Sequence, residues 1–358
     1  MTIRIGVIGA SFAKAAYLPA LRHVEDAEVV ALASARIESA RSTADAFDVP
    51  HAYDDWQAML REHELDLVCI ATPTDTHAPM ALAALDAGAH VLCEKPTAMD
   101  ATEAQAMRDR AAELGRVSMM GHELRFNPNR RKVAELVASG AIGEIRHAHI
   151  ANITPGWSDP RARPKGDWWS LAERGGGRLG ANGSHQVDLL RWWFGEVTSV
   201  FGRVETVVAD RLDKHTGEPW TATADDLVHM VLEQERNPIA DVFLSGVARH
   251  NMDNVTQVYG SEGTILLTNS DERLLLGKPG AEFEDVSVSD PNADLPGVNK
   301  GIWNVSFVAL MQELCGAVRE GRSVREGATF EDGLRNQRVL DAAKRSHAER
   351  RWIDIDAG

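Results

Sequence analysis

Between residues 3 and 121, short apolar runs alternate with amphipathic stretches, so the hydrophobic pattern switches repeatedly between the period of a strand and that of a helix. That alternation predicts βαβ units and a parallel sheet, with strands over 3–8, 28–33, 67–71, 90–93 and 116–120. The segment 79–87, rich in Ala, Leu and Met, predicts a helix that stops at Gly88. Every crossover is long enough for the right-handed connection such sheets require.

After Phe126-Asn127-Pro128 and a helix predicted over 130–139, the pattern changes. Longer strands follow one another with few helices between them, over 145–153, 197–208, 227–234, 239–249, 254–260 and 264–268, and Gly260-Ser261-Glu262-Gly263 reads as a hairpin turn. Near the end, Phe307, Leu310, Met311, Leu314 and Val318 share one helical face, and a second helix is predicted over 331–348. This half reads as α+β with a largely antiparallel sheet. Helices must cover one face of that sheet, and an apolar opposite face would require a second subunit, which makes a homodimer or homotetramer the expected state. Because 358 residues exceed one hydrophobic core, two domains are expected, over 1–121 and 122–358.

Composition adds exclusions. A formal net charge of -15 argues against nucleic acid or an anionic membrane as partner, since either selects a basic face. The three cysteines, Cys69, Cys93 and Cys315, form no C-x-x-C pair, and the first two fall in apolar strand-like runs. Neither a disulfide framework nor a metal site is expected, and a reducing cytoplasm fits best. Because the first residues enter a strand pattern at once, no secretory leader is expected, and no apolar run approaches bilayer length.

The chemistry begins at His90-Val91-Leu92-Cys93-Glu94-Lys95-Pro96, where an apolar strand ends in a carboxylate, an ammonium and a proline. In a parallel sheet the carboxyl ends of the strands border the ligand crevice, so Lys95 is expected beside a bound molecule. Ile5 to Lys14 is a strand, a tight turn and a helix, the context of a dinucleotide fingerprint, but only Gly9 of the three glycines is present; Ser11 and Lys14 hold the other two positions. The second strand ends Ala33-Ser34-Ala35-Arg36, without the acid that holds a ribose 2′-hydroxyl. A small hydroxyl followed by a guanidinium suits a 2′-phosphate and favours NADP over NAD, unless Arg36 only begins the next helix. Ala71-Thr72-Pro73 with His77 follows the third predicted strand, and His77 is expected to orient that loop rather than to react.

These segments, together with Arg125-Phe126-Asn127-Pro128 and Gly175-Gly176-Gly177 leading to His185, resemble the glucose-fructose oxidoreductase and inositol dehydrogenase family (Gfo/Idh/MocA). The resemblance covers nearly the whole chain in order. It implies an α/β fold with an N-terminal Rossmann dinucleotide-binding domain, a C-terminal domain with a large open sheet, a nicotinamide coenzyme held between them, and a sugar, polyol or cyclitol as substrate. The family's lysine falls on Lys95 and its histidine on His185. The expected coenzyme contacts are Gly9, Ala10, Ser11, Phe12, Ala13, Ser34, Arg36, Thr72, Pro73, His77, Glu94, Lys95, Arg125 and Trp168. Lys95, His122, Lys165, Asn182 and His185 are expected to meet the substrate.

One departure stands out. The family usually carries an aspartate four residues before the histidine, on the same helical face, and here that position is Ala181. Asp167, in Pro164-Lys165-Gly166-Asp167-Trp168-Trp169, is the candidate replacement as a catalytic carboxylate, with a turn cap as the competing role. In the expected mechanism His185 removes the hydroxyl proton, Lys95 steadies the developing alkoxide and hydride passes to the coenzyme. The alternative is a catalytically silent dinucleotide- and sugar-binding sensor of the same fold.

Overall fold

The computed structural model describes residues 2–235, 238–252, 254–268 and 271–355, which form two compact units. The first comprises Met1–Asn127 and Asp290–Leu334, and the second Pro128–Ser289 and Arg335–Gly358.

The first unit is built on six parallel strands, β1 (Ile3–Ile8), β2 (Ala27–Ala33), β3 (His51–Tyr53), β4 (Leu67–Ile70), β5 (His90–Cys93) and β6 (Ser118–Met120), in the order β3-β2-β1-β4-β5-β6. That is the Rossmann order, and the direction of winding reverses between β1 and β4. Both faces are covered, which is why the strands read as unbroken apolar runs. On one face lie α1 (Ala10–Ala15), α2 (Tyr17–Leu21) and α3 (Ile37–Phe47). On the other lie α4 (Trp56–Glu62), α5 (His77–Asp86) and α6 (Ala101–Glu113). The three-residue β3 escapes sequence prediction because so short an edge strand shows no periodicity.

The second unit holds α7 (Pro128–Ala138), α8 (Ser184–Phe194) and strands β7 (Ile145–Ile153), β8 (Val197–Glu205), β9 (Asp210–Leu212), β10 (Pro219–Thr221), β11 (Leu227–Gln234), β12 (Ile239–Ser245), β13 (Val255–Gly260), β14 (Thr264–Thr268), β15 (Leu274–Gly277), β16 (Glu284–Asp285) and β17 (Ile353–Asp354). Nine of these make one sheet in the order β16-β15-β14-β13-β7-β12-β11-β8-β17, in which only the β7–β12 pair is parallel, while β9 and β10 form a separate hairpin. Residues along β11 alternate, with Val228, Met230 and Leu232 buried and His229 and Glu233 exposed on the opposite face.

The helix with the Phe307, Leu310, Met311 and Leu314 stripe is α9 (Ile302–Glu320), and its place corrects the sequence expectation. Instead of covering the antiparallel sheet, it joins those side chains to one core with Ile3, Ile5, Leu67 and Leu92 of the parallel one, in contact with β1, α2 and the turn Glu123–Phe126. An apolar stripe dictates that a helix be buried but not which sheet buries it. Each of the four large side chains contributes about 1.5–3 kcal/mol by leaving water. The last helix, α10 (Phe330–Glu349), contains the division between the units: Phe330 and Leu334 belong to the core of the first, and Ser346 accepts from the Gly202 amide at 2.9 Å in the second.

Candidate active site

In the first unit the candidate residues gather at the carboxyl ends of the strands. Gly9 ends β1 with φ 105°, and a Cβ there would lie 2.2 Å from the Ala71 carbonyl oxygen, so only glycine lets the β1–α1 turn pass the end of β4. In α1, Ala10 and Ala13 pack inward, Phe12 is half-buried, and Ser11 and Lys14 face solvent. Ser34 donates its amide to the Tyr53 carbonyl at 3.0 Å, and Arg36 is exposed just beyond it.

His77 ties two loops together. Its ring is buried, with Nδ1 2.9 Å from the Pro96 carbonyl and Nε2 2.9 Å from the Thr72 carbonyl. Burial lowers its pKa, so the ring sits neutral and donates to one carbonyl at a time. The Thr76 hydroxyl, within 2.7 Å of both Thr72 Oγ1 and the Pro73 carbonyl, steadies the same loop.

Glu94 turns inward. Its Oε1 accepts from the Tyr17 hydroxyl at 2.7 Å and its Oε2 from the Lys95 amide at 3.3 Å, and only 6% of the residue is exposed. Burial raises its pKa, opposed by the neighbouring Lys95 charge and the Tyr17 hydrogen bond. Tyr17 stands edge-on between Phe12 and Phe307, with ring centroids 5.6 and 5.2 Å away. Sequence reasoning missed Tyr17. A buried tyrosine needs a partner for its hydroxyl, and that was the available signal. Lys95 follows at the end of β5, partly buried. His122 is buried after β6, and Arg125 donates to the Gly327 carbonyl at 3.2 Å and to Asp332 at 3.1 Å.

In the second unit, His185 lies in the first turn of α8 and is 2% exposed. The turn ahead of it, Leu179–Gly183, is a π-helix that carries Ala181 and the half-buried Asn182. The sequence expectation of one regular helix through positions 181 and 185 is therefore altered, since a π turn widens the spiral. Asp225 fastens this entry: its carboxylate accepts from the Leu179 amide at 2.8 Å and its carbonyl from the Arg178 amide at 3.0 Å. Gly177, at φ 113°, admits that carboxylate, because a Cβ there would lie 2.2 Å from Oδ1. Burial pushes the Asp225 carboxyl up to about 6 and lowers the Arg178 guanidinium to about 10. Asn336 donates to the Ser184 carbonyl at 2.7 Å from α10.

The loop before α8 is held by carboxylates. Asp167 accepts from Arg163 at 3.0 Å and from the Ser170 hydroxyl at 3.2 Å, and so clasps the turn Trp168–Ser170, in which Trp168 stacks on Trp169 at 4.3 Å. Asp213 accepts backbone amides from Lys165, His215 and Thr216 at 2.5, 2.8 and 2.7 Å, which hold it well below the usual carboxylate range. The exposed Lys165 ammonium lies 3.8 Å from Glu218. Among the described residues no group of three or more His, Cys, Asp or Glu side chains has the arrangement to hold a metal ion.

The strand edge fits a dinucleotide: the tight Gly9 turn, the exposed Ser11 and Lys14, and the Thr72 loop all border the point where the strand order reverses. Comparison with known proteins agrees. Residues 3–122 match the model of an oxidoreductase family with an NAD-binding Rossmann fold, and residues 130–266 match the GFO/IDH/MocA C-terminal domain. The chain belongs to the GFO/IDH/MocA family. Among its relatives, the inositol 2-dehydrogenase of Rhizobium meliloti is 27% identical over 99% of this chain and 100% of its own length. The D-apiose dehydrogenase of Paraburkholderia graminis is 30% identical over 75% of this chain and 68% of its own length. The crystal structure of an oxidoreductase domain protein from Kribbella flavida, 28% identical, superposes with a TM-score of 0.89 over 99% of this chain and all of that one. Like other members of the GFO/IDH/MocA family, the chain thus pairs an NAD-binding Rossmann unit with a large, mostly antiparallel sheet.

Proposed function

We propose that this chain transfers hydride between a nicotinamide coenzyme and the CH–OH/C=O pair of a sugar, cyclitol or related polyol. The observation that carries the reading is the end of β5: Glu94 is turned into the core onto Tyr17, and the part-buried Lys95 follows it at the carboxyl end of the strand. The inositol and apiose dehydrogenases among its relatives support the substrate class.

The nicotinamide, when bound, supplies the hydride acceptor of the oxidation and the hydride donor of the reverse reaction. Lys95 steadies the developing alkoxide, and His185 takes the hydroxyl proton as the carbinol becomes a carbonyl. Base catalysis of this kind is worth about 10²- to 10⁴-fold and charge stabilisation about 10²- to 10³-fold. Asp167 acts as the positioning carboxylate of the Trp168 loop, since Arg163 and Ser170 already occupy it. Coenzyme contacts run from Gly9 and Ser11 through Thr72 and Pro73 to Lys95, with Arg36 taking a 2′-phosphate and so favouring NADP. His122, Lys165 and Asn182 contact the substrate.

The exposed Phe201, Ile239 and Trp352 on and beside the outer face of the large sheet support a homo-oligomer formed through that face. A cytoplasmic location fits the three free, buried thiols.

A second reading, the silent sensor, is favoured by Ala181 and by the engagement of Asp167. The two separate in one experiment. The full chain is mixed with oxidised coenzyme and a panel of sugars, polyols and cyclitols, and reduced nicotinamide is followed by its absorbance. Turnover on any of them supports the enzyme. Tight coenzyme binding with no reduction in either direction supports the sensor.

A further inference from the structure

A cavity of about 350 Å³ opens in the first unit at the opposite end of the sheet from Gly9, Thr72 and Lys95. Its walls are the amino ends of β5 and β6 (His90, Ser118), the turn after α6 (Arg116) and the segment after α9 (Arg322, Ser323). The volume falls within the usual range of small-ligand sites. In a chain of net charge -15, no carboxylate lines it.

The two arginines differ. Arg322 is already neutralised, 2.7 Å from Glu313 and 2.6 Å from Glu320, and folds back along α9. Arg116 has no ion pair among the described residues, and its Nε is buried without an acceptor. That nitrogen has no surface open to the cavity, so a ligand there would meet the terminal nitrogens of the part-buried guanidinium. His90 adds a second donor. Its Nδ1 accepts from the Val117 amide at 2.8 Å, so the neutral ring carries its proton on Nε2. Desolvation and then the Arg116 charge lower the His90 pKa, opposed by the Asp66 carboxylate, which acts on the ring without lining the cavity. The hydroxyls of Ser118 and Ser323 complete a wall rich in donors.

The carboxyl ends of α6 and α9 reach this end of the sheet, and helix ends of that polarity attract cations. Their attraction accounts for arginines nearby and opposes an anion, so the site rests on the lining itself, in which no acidic side chain stands beside Arg116.

We propose that this cavity is a binding site for a small oxyanion, a phosphate or carboxylate group, held by the Arg116 guanidinium and the His90 Nε2–H. The site is separate from the coenzyme edge and does not rest on the proposed activity.

The test is a calorimetric titration of the full chain with inorganic phosphate and, separately, with succinate, at constant ionic strength. Arg116→Gln, Ser323→Asp and Arg36→Gln are titrated alongside. Ser323 is exposed, so the aspartate introduces charge at the rim without disturbing the core. Saturable binding of either anion that weakens at least tenfold in R116Q and in S323D, and persists in R36Q, supports the site, and the tighter anion identifies the source. Absence of saturable binding, or binding lost in R36Q but unchanged in R116Q and S323D, overturns it.

Discussion

The Tyr17 hydroxyl donates to Glu94 Oε1 across 2.7 Å, which places the carboxylate that precedes Lys95 inside the core of the first unit. Removing the donor with Tyr17→Phe leaves a buried carboxylate short of a partner. The expected loss of stability is about 1–3 kcal/mol by urea unfolding. Because the Tyr17 hydrogen bond favours the charged carboxylate, against the burial that raises its pKa, the loss grows as pH rises and is smallest in acid, where the carboxyl is protonated. Equal losses at both would remove the charged hydrogen bond from the account.

Asp225 gives the clearest pH dependence. Its carboxyl lies near 6 in the folded chain against 3.8 when unperturbed, so the native state holds a proton that the unfolded chain releases. Stability therefore falls as pH rises from about 4 to about 6, by at most about 3 kcal/mol from this group. Asp225→Asn keeps a carbonyl to accept from Leu179 but cannot ionise. Relative to the parent, D225N should match it near pH 4 and gain stability as pH rises to 7. A difference that is constant across that range would contradict the assignment.

Arg36 tests the coenzyme choice. If Arg36, exposed beyond the end of β2, serves a 2′-phosphate by a charge-assisted contact as proposed, Arg36→Gln should weaken NADPH at least tenfold while leaving NADH nearly unchanged, as read by nicotinamide fluorescence. Parent protein that binds NADH more tightly than NADPH would refute the reading.

Asp213 anchors the Lys165 loop through three backbone amides. Asp213→Ala should release the loop, with faster proteolytic cleavage near residue 165 and a raised KM for polyol, while kcat changes less. The depressed carboxyl contributes stability above its unfolded pKa that is lost as pH falls through the folded value. A variant with unchanged protease resistance would show the anchor to be dispensable.

Much of this was legible in the sequence because strong periodicity survives any tertiary context. The ranges of β5, β7, β11 and β14 follow directly from their apolar patterns. What escaped depends on contacts remote in sequence. The α9 stripe could not reveal that Phe307 meets Tyr17, some 290 residues away. Likewise Leu179 gives no hint that Asp225 receives its amide, nor Asp167 that Arg163 and Ser170 claim it. The π turn at Leu179–Gly183 breaks the regular spacing on which the comparison of Ala181 with His185 relied.

The central claim is that Lys95 serves the chemical step. It is tested by comparing the parent chain with Lys95→Met on a polyol that the screen identifies as a substrate, with coenzyme affinity measured in parallel by fluorescence. The account predicts that K95M binds coenzyme within a few-fold of the parent and loses about 10²-fold or more in kcat. Near-normal turnover by K95M on that substrate would contradict it.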